Sequence, residues 1–181
     1  NYTMQKSRLT RIVAICALLS AVAPACAQTV EELWIAMPDN IVPYLNTNLR
    51  KEMIECHRIG VDTNVKNKLD GNSSIDTLTA DYGRFAVSAA RDLQLPKLPT
   101  AADTLLLLID THKAPAAQSK ASVYTLQWKP ATADDIMPAL TTNDFVERRD
   151  TTSAEEYDEL TSIAASAFRE YNYDAASGKL N

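Results

Sequence analysis

The chain has 181 residues, 46% of them hydrophobic and 23% charged, with a formal net charge of −5. That is enough for one domain with a real core. The acidic balance disfavours nucleic acid and anionic membrane surfaces as partners, because both are polyanions.

The chain opens with the pattern of a secretory leader. Lys6, Arg8 and Arg11 form a basic start, and no acidic residue occurs in residues 1–27. Residues 12–22 are apolar apart from Ser20, and Ala25-Cys26-Ala27 puts small residues where a signal peptidase needs them. Residues 1–27 are therefore expected to be a signal peptide cut between Ala27 and Gln28, and residues 28–181 a single α+β domain. The apolar run is too short to span a bilayer comfortably, and no second long run follows it, so no membrane span is expected after cleavage. An uncleaved anchor and a lipid anchor at Cys26 are the alternatives. The latter fits Ala23-Pro24-Ala25 poorly, since a lipoprotein signal wants a large aliphatic residue three positions before the cysteine. Cleavage removes three basic residues and takes the charge from −5 to −8. Of Cys16, Cys26 and Cys56 only Cys56 would remain, so no internal disulfide can form. The expected location is periplasmic or extracellular.

Thr29 and Glu32 have capping-box spacing before a short stripe of Val30, Leu33, Trp34 and Met37, which Pro38 ends. Pro43 suits a first helical turn. Leu45, Leu49, Met53 and Cys56 then recur at helical spacing, opposite Arg50, Lys51, Glu52 and Glu55, with Gly60 as the stop. A helix is expected over 46–58, with Cys56 in its buried stripe. Residues 65–69 and 73–79 flank Asp70-Gly71, which suits a type I′ hairpin turn. Tyr82-Gly83 reads as a second corner. Residues 84–90 alternate like a half-buried strand, while the prolines in 93–99 point to a connection or an edge piece.

The apolar run Leu105-Leu106-Leu107-Leu108-Ile109 within residues 103–112 reads as a central strand covered on both faces. After a turn containing Pro115, residues 122–128 return antiparallel with Tyr124, Leu126 and Trp128 on one face. Residues 130–150 read as a long loop with a helical turn near 134–137. Ser153 and Glu156 repeat the capping-box spacing, and Tyr157, Leu160, Ile163, Ala164 and Ala167 make an apolar face for a helix over 154–166. Residues 168–174 and 179–180 read as strands around a turn, the second cut short as if the natural chain continued. The sum is an α+β fold: an antiparallel meander packed against two or three helices, with those at 46–58 and 154–166 covering the sheet.

Residues 34–50 (WIAMPDNIVPYLNTNLR), the stretch from Asn67 through Gly71-Asn72-Ser73 to Asp81-Tyr82, and Ala86-Val87-Ser88 carry a family resemblance. Together they resemble an uncharacterised domain-of-unknown-function family of exported Bacteroidales proteins. The resemblance covers most of the mature chain and implies continuation past Asn181 into further strand and helix. It implies no activity and no functional residues.

The residues with chemical potential all have a plainer explanation. Cys56 and His57 are adjacent on a helix and point about 100° apart, so they cannot pair with each other. Asp110 and His112 share a strand face, but no nucleophile motif accompanies them. Asp70, Asn72, Ser73 and Asp76 lack the spacing of a calcium loop. Glu155, Glu156, Asp158 and Glu159 suit a solvated helix start. Tyr124, Trp128, Tyr171 and Tyr173 could grip a sugar or peptide if exposed, but such residues more often pack in a core. No catalytic, cofactor-binding or metal-binding residue is therefore assigned. The expected function is a non-enzymatic binding module of the cell envelope with a protein, peptide or glycan ligand. A small secreted hydrolase built on His112 and Asp110 is the alternative, and a lipid-anchored assembly factor at Cys26 a third.

Overall fold

The computed structural model describes residues 28–101, 103–132, 146, 149, 151–165 and 167–181. The leader-like residues 1–27 and the helical turn expected near 134–137 lie outside the described residues.

Six strands follow one another in the sheet in chain order, each antiparallel to the last: β1 (Val65–Lys66), β2 (Asn72–Leu78), β3 (Tyr82–Ser88), β4 (Arg91–Pro99), β5 (Thr104–His112) and β6 (Gln118–Thr125). Two helices precede it, α1 (Val30–Ala36) and α2 (Thr47–Arg58). After it come α3 (Ala154–Ala165) and a short ribbon of β7 (Tyr173–Asp174) and β8 (Lys179–Leu180). This is the expected α+β meander.

Helix α1 starts at the predicted capping box: Thr29 Oγ1 accepts from Glu32 N–H at 3.3 Å, and Glu32 Oε2 from Thr29 N–H at 3.2 Å. Such reciprocal bonds satisfy two amides with no intrahelical partner. Val30 N–H donates to Ala80 O, tying the helix start to the β2–β3 turn. The Trp34 ring stacks on Phe85 at 3.8 Å and 4°, which presses α1 onto β3. Gly83 leaves room for that stack. A Cβ there would sit 2.6 Å from the Phe85 ring and 2.9 Å from Val30 Cγ1.

Strand β5 is buried on both faces, as its unbroken apolar run requires. Leu106 and Leu108 join the core formed by α1, α2, Phe85, Val87, Leu93, Leu95 and Trp128. Leu107 and Ile109, also buried, alternate onto the opposite face. Segment 169–173 is pinned to that second face. Ser119 N–H donates to Arg169 O at 2.6 Å, Tyr171 N–H to Ser119 Oγ at 3.0 Å and Tyr173 N–H to Gln94 Oε1 at 3.1 Å. Tyr173 also stacks on Tyr82.

Several local expectations are corrected. Residues 93–99 belong to the interior strand β4, between β3 and β5. The β4–β5 pairing passes from Gln94–Ile109 to Lys97–Leu106 with a gap around Pro96, which has no N–H to give. Tyr82 and Gly83 lie inside β3, and the corner is the turn just before them. The β1–β2 connection is not a type I′ turn, because Asp70 has φ +58° while Gly71 does not take a positive φ. Asn67 builds it instead: its Oδ1 accepts from Leu69 and Gly71 N–H, and its Nδ2 donates to Ser73 Oγ and Val87 O. Strand β1 therefore stops at Lys66. Pro43 sits in a turn before α2 rather than in its first turn, and Asn46 caps that helix. Strand β6 ends at Thr125, and Trp128 takes a positive φ of 59° in the turn that follows. Residues 168–172 form no strand. Helix α3 contributes nothing to the described core, so α1 takes the covering role expected of it.

Arg50 is the largest departure. Expected on the solvent side of α2, it is fully buried with Met53 and Ile54. Its Nε donates to Trp34 O at 2.9 Å and Nη1 to Leu45 O at 2.7 Å, while Nη2 reaches Ile35 O, Met37 O and Thr47 Oγ1. Asp39 pairs with it at 3.0 Å. Burial pushes the Arg50 pKa below the ordinary arginine value and Asp39 pushes it back up. An arginine stays charged regardless. With Arg50 on the inner side, Cys56 lies at the stripe's margin and is half-buried rather than buried.

Two stability predictions follow from this packing. Gly83→Ala should destabilise the domain by about 1–3 kcal/mol, the usual cost of overpacking a filled core. Its urea midpoint should fall with the slope unchanged; an unaltered midpoint would mean that Phe85 can move aside. Arg50→Leu should cost at least about 3 kcal/mol, because several buried carbonyls lose their donor at about 1–3 kcal/mol each. Arg50→Lys should recover only part of that, since one ammonium cannot span the same acceptors.

Candidate functional site

The sheet brings Asp110 and His112 to the helix-covered face at the end of β5. Arg91 on β4 occupies the same patch, opposite His112. Its guanidinium grips Asp110 in a two-pronged pair, Nε to Oδ1 at 2.8 Å and Nη2 to Oδ2 at 2.7 Å. Nη2 also donates to Ile41 O at 3.0 Å, and Nη1 approaches Tyr44 Oη at 3.5 Å. The hydrogen bonds that Arg91 donates to Asp110 raise the Arg91 pKa above the ordinary arginine value, against the opposing effect of burial. The pair is largely buried, at 15% and 18% side-chain exposure, and it fastens the α1–α2 loop to the sheet.

His112 stands outside this arrangement. It is 61% exposed, and its Nδ1 lies 3.8 Å from Asp110 Oδ1, beyond hydrogen-bond range. Its cross-strand neighbours are Arg91 and Gln118, neither of them a nucleophile. The carboxylate that would orient a catalytic imidazole is committed to Arg91.

The other candidates are dispersed. His57 is exposed beside half-buried Cys56 on α2. Asp76 faces Arg84 at 3.9 Å, and Arg84 in turn faces buried Asp92 at 3.7 Å, which Lys113 approaches at 2.7 Å. Glu155, Glu156, Asp158 and Glu159 are exposed along the start of α3. Among the described residues no three His, Cys, Asp or Glu side chains come together to hold a metal. The aromatic residues divide between the two faces. Trp128 is buried, donates its indole N–H to Leu33 O at 3.0 Å and packs against Tyr124, whereas Tyr171 and Tyr173 belong to the segment on the second face.

Among the described residues, the apolar side of α3 is a helical stripe left on the surface. Ser153 Oγ caps the helix, accepting from Glu156 N–H at 3.1 Å. The predicted stripe forms, but it faces outward: Leu160, Ile163 and, just beyond the helix, Phe168 are 42%, 60% and 56% exposed. A cavity of about 300 Å³ lies between this end of α3 and the C-terminal ribbon, walled by Ala164, Ala167, Phe168 and Tyr171 with Glu170 and Asn181 at its polar side. A second of about 460 Å³ runs beside Val146, Arg149, Glu156, Leu160 and Ile163. The stripe was legible as helical period; its outward orientation was not, since periodicity does not say what a face meets.

The fold and these surfaces define an α+β meander domain whose described residues include no helix long and apolar enough to cross a membrane. The chain belongs to the family described as "Protein of unknown function (DUF3256)", matched over residues 22–181. This agrees with the resemblance carried by residues 34–50, 67–82 and 86–88. The fold is similar to that in "Structure of a domain of an uncharacterized protein from Porphyromonas gingivalis W83", with a TM-score of 0.64 and 20% identity over 80% of this chain and 74% of that one. At that identity the likeness concerns the fold alone. No curated protein matches the chain.

Asp110→Asn should cost about 1.5–3 kcal/mol, the usual worth of hydrogen bonds to a charged group. His112→Ala should stay within about 0.5 kcal/mol of the parent, as exposed substitutions do. Thermal unfolding of the two variants checks both, and a large loss in His112→Ala would show that the imidazole is held after all.

Proposed function

We propose that this chain is a non-enzymatic interaction module exported to the bacterial cell envelope, and that α3 with Phe168 is the face that meets a partner protein or peptide. The observation that carries this reading is the row of Leu160, Ile163 and Phe168 exposed beside a cavity of about 300 Å³. Apolar surface left open next to a concavity is how a recognition site differs from scattered surface leucines. Aliphatic side chains on a helix suit another apolar protein surface. A glycan would want flat aromatic platforms, and Trp128 is engaged in the core. Export is supported by the basic, apolar and A-x-A pattern of residues 1–27, with cleavage between Ala27 and Gln28.

The alternative, a small secreted hydrolase, has one observation in its favour, the 3.8 Å approach of His112 to Asp110. The two readings separate in one experiment. A photo-crosslinking residue replaces Ile163 in the producing cell, with Phe168→Asp and His112→Ala made on that background. A protein adduct should form, should be lost with Phe168→Asp, and should persist with His112→Ala. Absence of any adduct, together with ester or glycoside hydrolysis that His112→Ala abolishes, would replace this reading with the hydrolase.

A further inference from the structure

We propose that the partner of α3 is a cationic amphipathic segment, which sets aliphatic side chains against Leu160 and Ile163 and lysines or arginines against the carboxylates beside them. This rests on the reading above that α3 and Phe168 form the recognition face, and adds the chemistry of what they recognise. Glu156, Leu160 and Ile163 stand at i, i+4 and i+7 and share one side of the helix, with Glu159 one turn before Ile163. All three line the cavity of about 460 Å³, so a side chain that fills it meets a carboxylate next to the apolar anchors. Arg149 lines it too, one cation against the carboxylates of Glu155, Glu156, Asp158 and Glu159 on α3.

Those carboxylates lack a counter-ion. Glu155, Glu156, Asp158 and Glu159 are all exposed, and among the described residues none of them forms an ion pair. The helix N-terminus favours negative charge at Glu155 and Glu156, but that effect fades within the first turn and does not reach Asp158 and Glu159. There the charges oppose the helix. Glu155 lies three and four residues from Asp158 and Glu159, and Glu156 three from Glu159, the spacings at which like charges repel. Cations on a partner would replace that repulsion with attraction while its apolar side chains cover the stripe, as amphipathic helices do in apolar grooves. The surroundings act in the same direction, since residues 151–181 contain six acidic and two basic side chains. A second copy of the chain would add the same negative charge to the contact, and an anionic membrane would be repelled.

The test uses two synthetic helical peptides that share one leucine stripe and carry either lysine or glutamate at every flanking position. Fluorescence anisotropy measures their binding to the chain as purified from the producing cell. The lysine peptide should bind at least about tenfold more tightly, as when a few exposed ion pairs replace as many repulsions. That advantage should vanish in about 1 M salt, where charges are screened within about 3 Å. Glu156→Gln with Glu159→Gln should remove most of it with circular dichroism unchanged, whereas Glu52→Gln on α2 should leave it intact. Leu160→Ala should weaken both peptides. Equal binding of the two, binding of neither, or an advantage that survives Glu156→Gln with Glu159→Gln would each overturn the cationic partner. A dimer in sedimentation that Leu160→Ala dissociates would give the face to a second copy instead. Absence of the adduct at Ile163 in the producing cell is a separate failure, that of the recognition face itself.

Discussion

The C-terminal end of α1 is the constraint around which the helical layer is arranged. The last four carbonyls of a helix have no intrahelical partner, which in this seven-residue helix is most of them, and here Leu33, Trp34 and Met37 at that end are buried. The donors come from distant parts of the chain. Arg50 of α2 serves Trp34 O and Ile35 O and continues to Met37 O, while Trp128, beyond β6, gives its indole N–H to Leu33 O. A buried guanidinium is costly to desolvate, but one whose several N–H groups all find oxygens, with Asp39 alongside, is stabilised as a whole. The Trp34 indole N–H has no acceptor among the described residues. The stack on Phe85 holds the ring there nonetheless.

The sheet divides its labour by face. On the helix side, Leu93, Leu95, Leu106 and Leu108 supply apolar burial, with the Arg91–Asp110 pair at the margin holding the loop between the helices. The second face mixes buried Leu107 and Ile109 with buried polar side chains, among them Asp92, Gln94, Thr111 and Ser119. These are tied together: Thr111 and Ser119 share a 2.7 Å hydrogen bond, and Gln94 accepts from the Tyr82 hydroxyl and from Tyr173 N–H. Segment 169–173 is therefore bound through donors and acceptors of defined position, which fixes its register as an apolar face alone would not.

Elements that report on themselves locally were legible in the sequence. The capping box of α1, the span of α2, the two-sided burial of β5 and the alternation of Phe85 and Val87 all followed from spacing. What depended on a distant partner was not. Arg50 reads as a surface residue because the carbonyls that draw it inward belong to another helix. Residues 93–99 read as a connection because prolines weaken a strand, and nothing local reveals that the ladder gaps around Pro96. The same limit applies to chemistry. Asp110 and His112 share a face at i and i+2, but the residue that claims the carboxylate lies 19 positions away on β4. Of the candidate surface, the stripe on α3 was visible and its solvent exposure was not.

The case for α3 as the recognition face gains from what the rest of the domain has already used. One face of the sheet is closed by α1 and α2, and segment 169–173 is fixed to the other. Of its edges, the β6 side is largely engaged, and on the other side β1 covers β2 only at Asn72 and Ser73. The outer strand β1 is only two residues long, and β6 is engaged towards both ends, with Ser119 N–H on Arg169 O, Thr125 N–H on Lys129 O and Val123 O accepting from Ala131 N–H. Short or covered edges are how sheets avoid further pairing. Ile59, Val61 and Leu69 are exposed as well, but they stand on turns with no helical face to align them. Among the described residues, exposed apolar surface recurs at helical spacing beside a concavity only on α3. A groove-and-helix contact requires that geometry, in which residues three or four apart act as anchors.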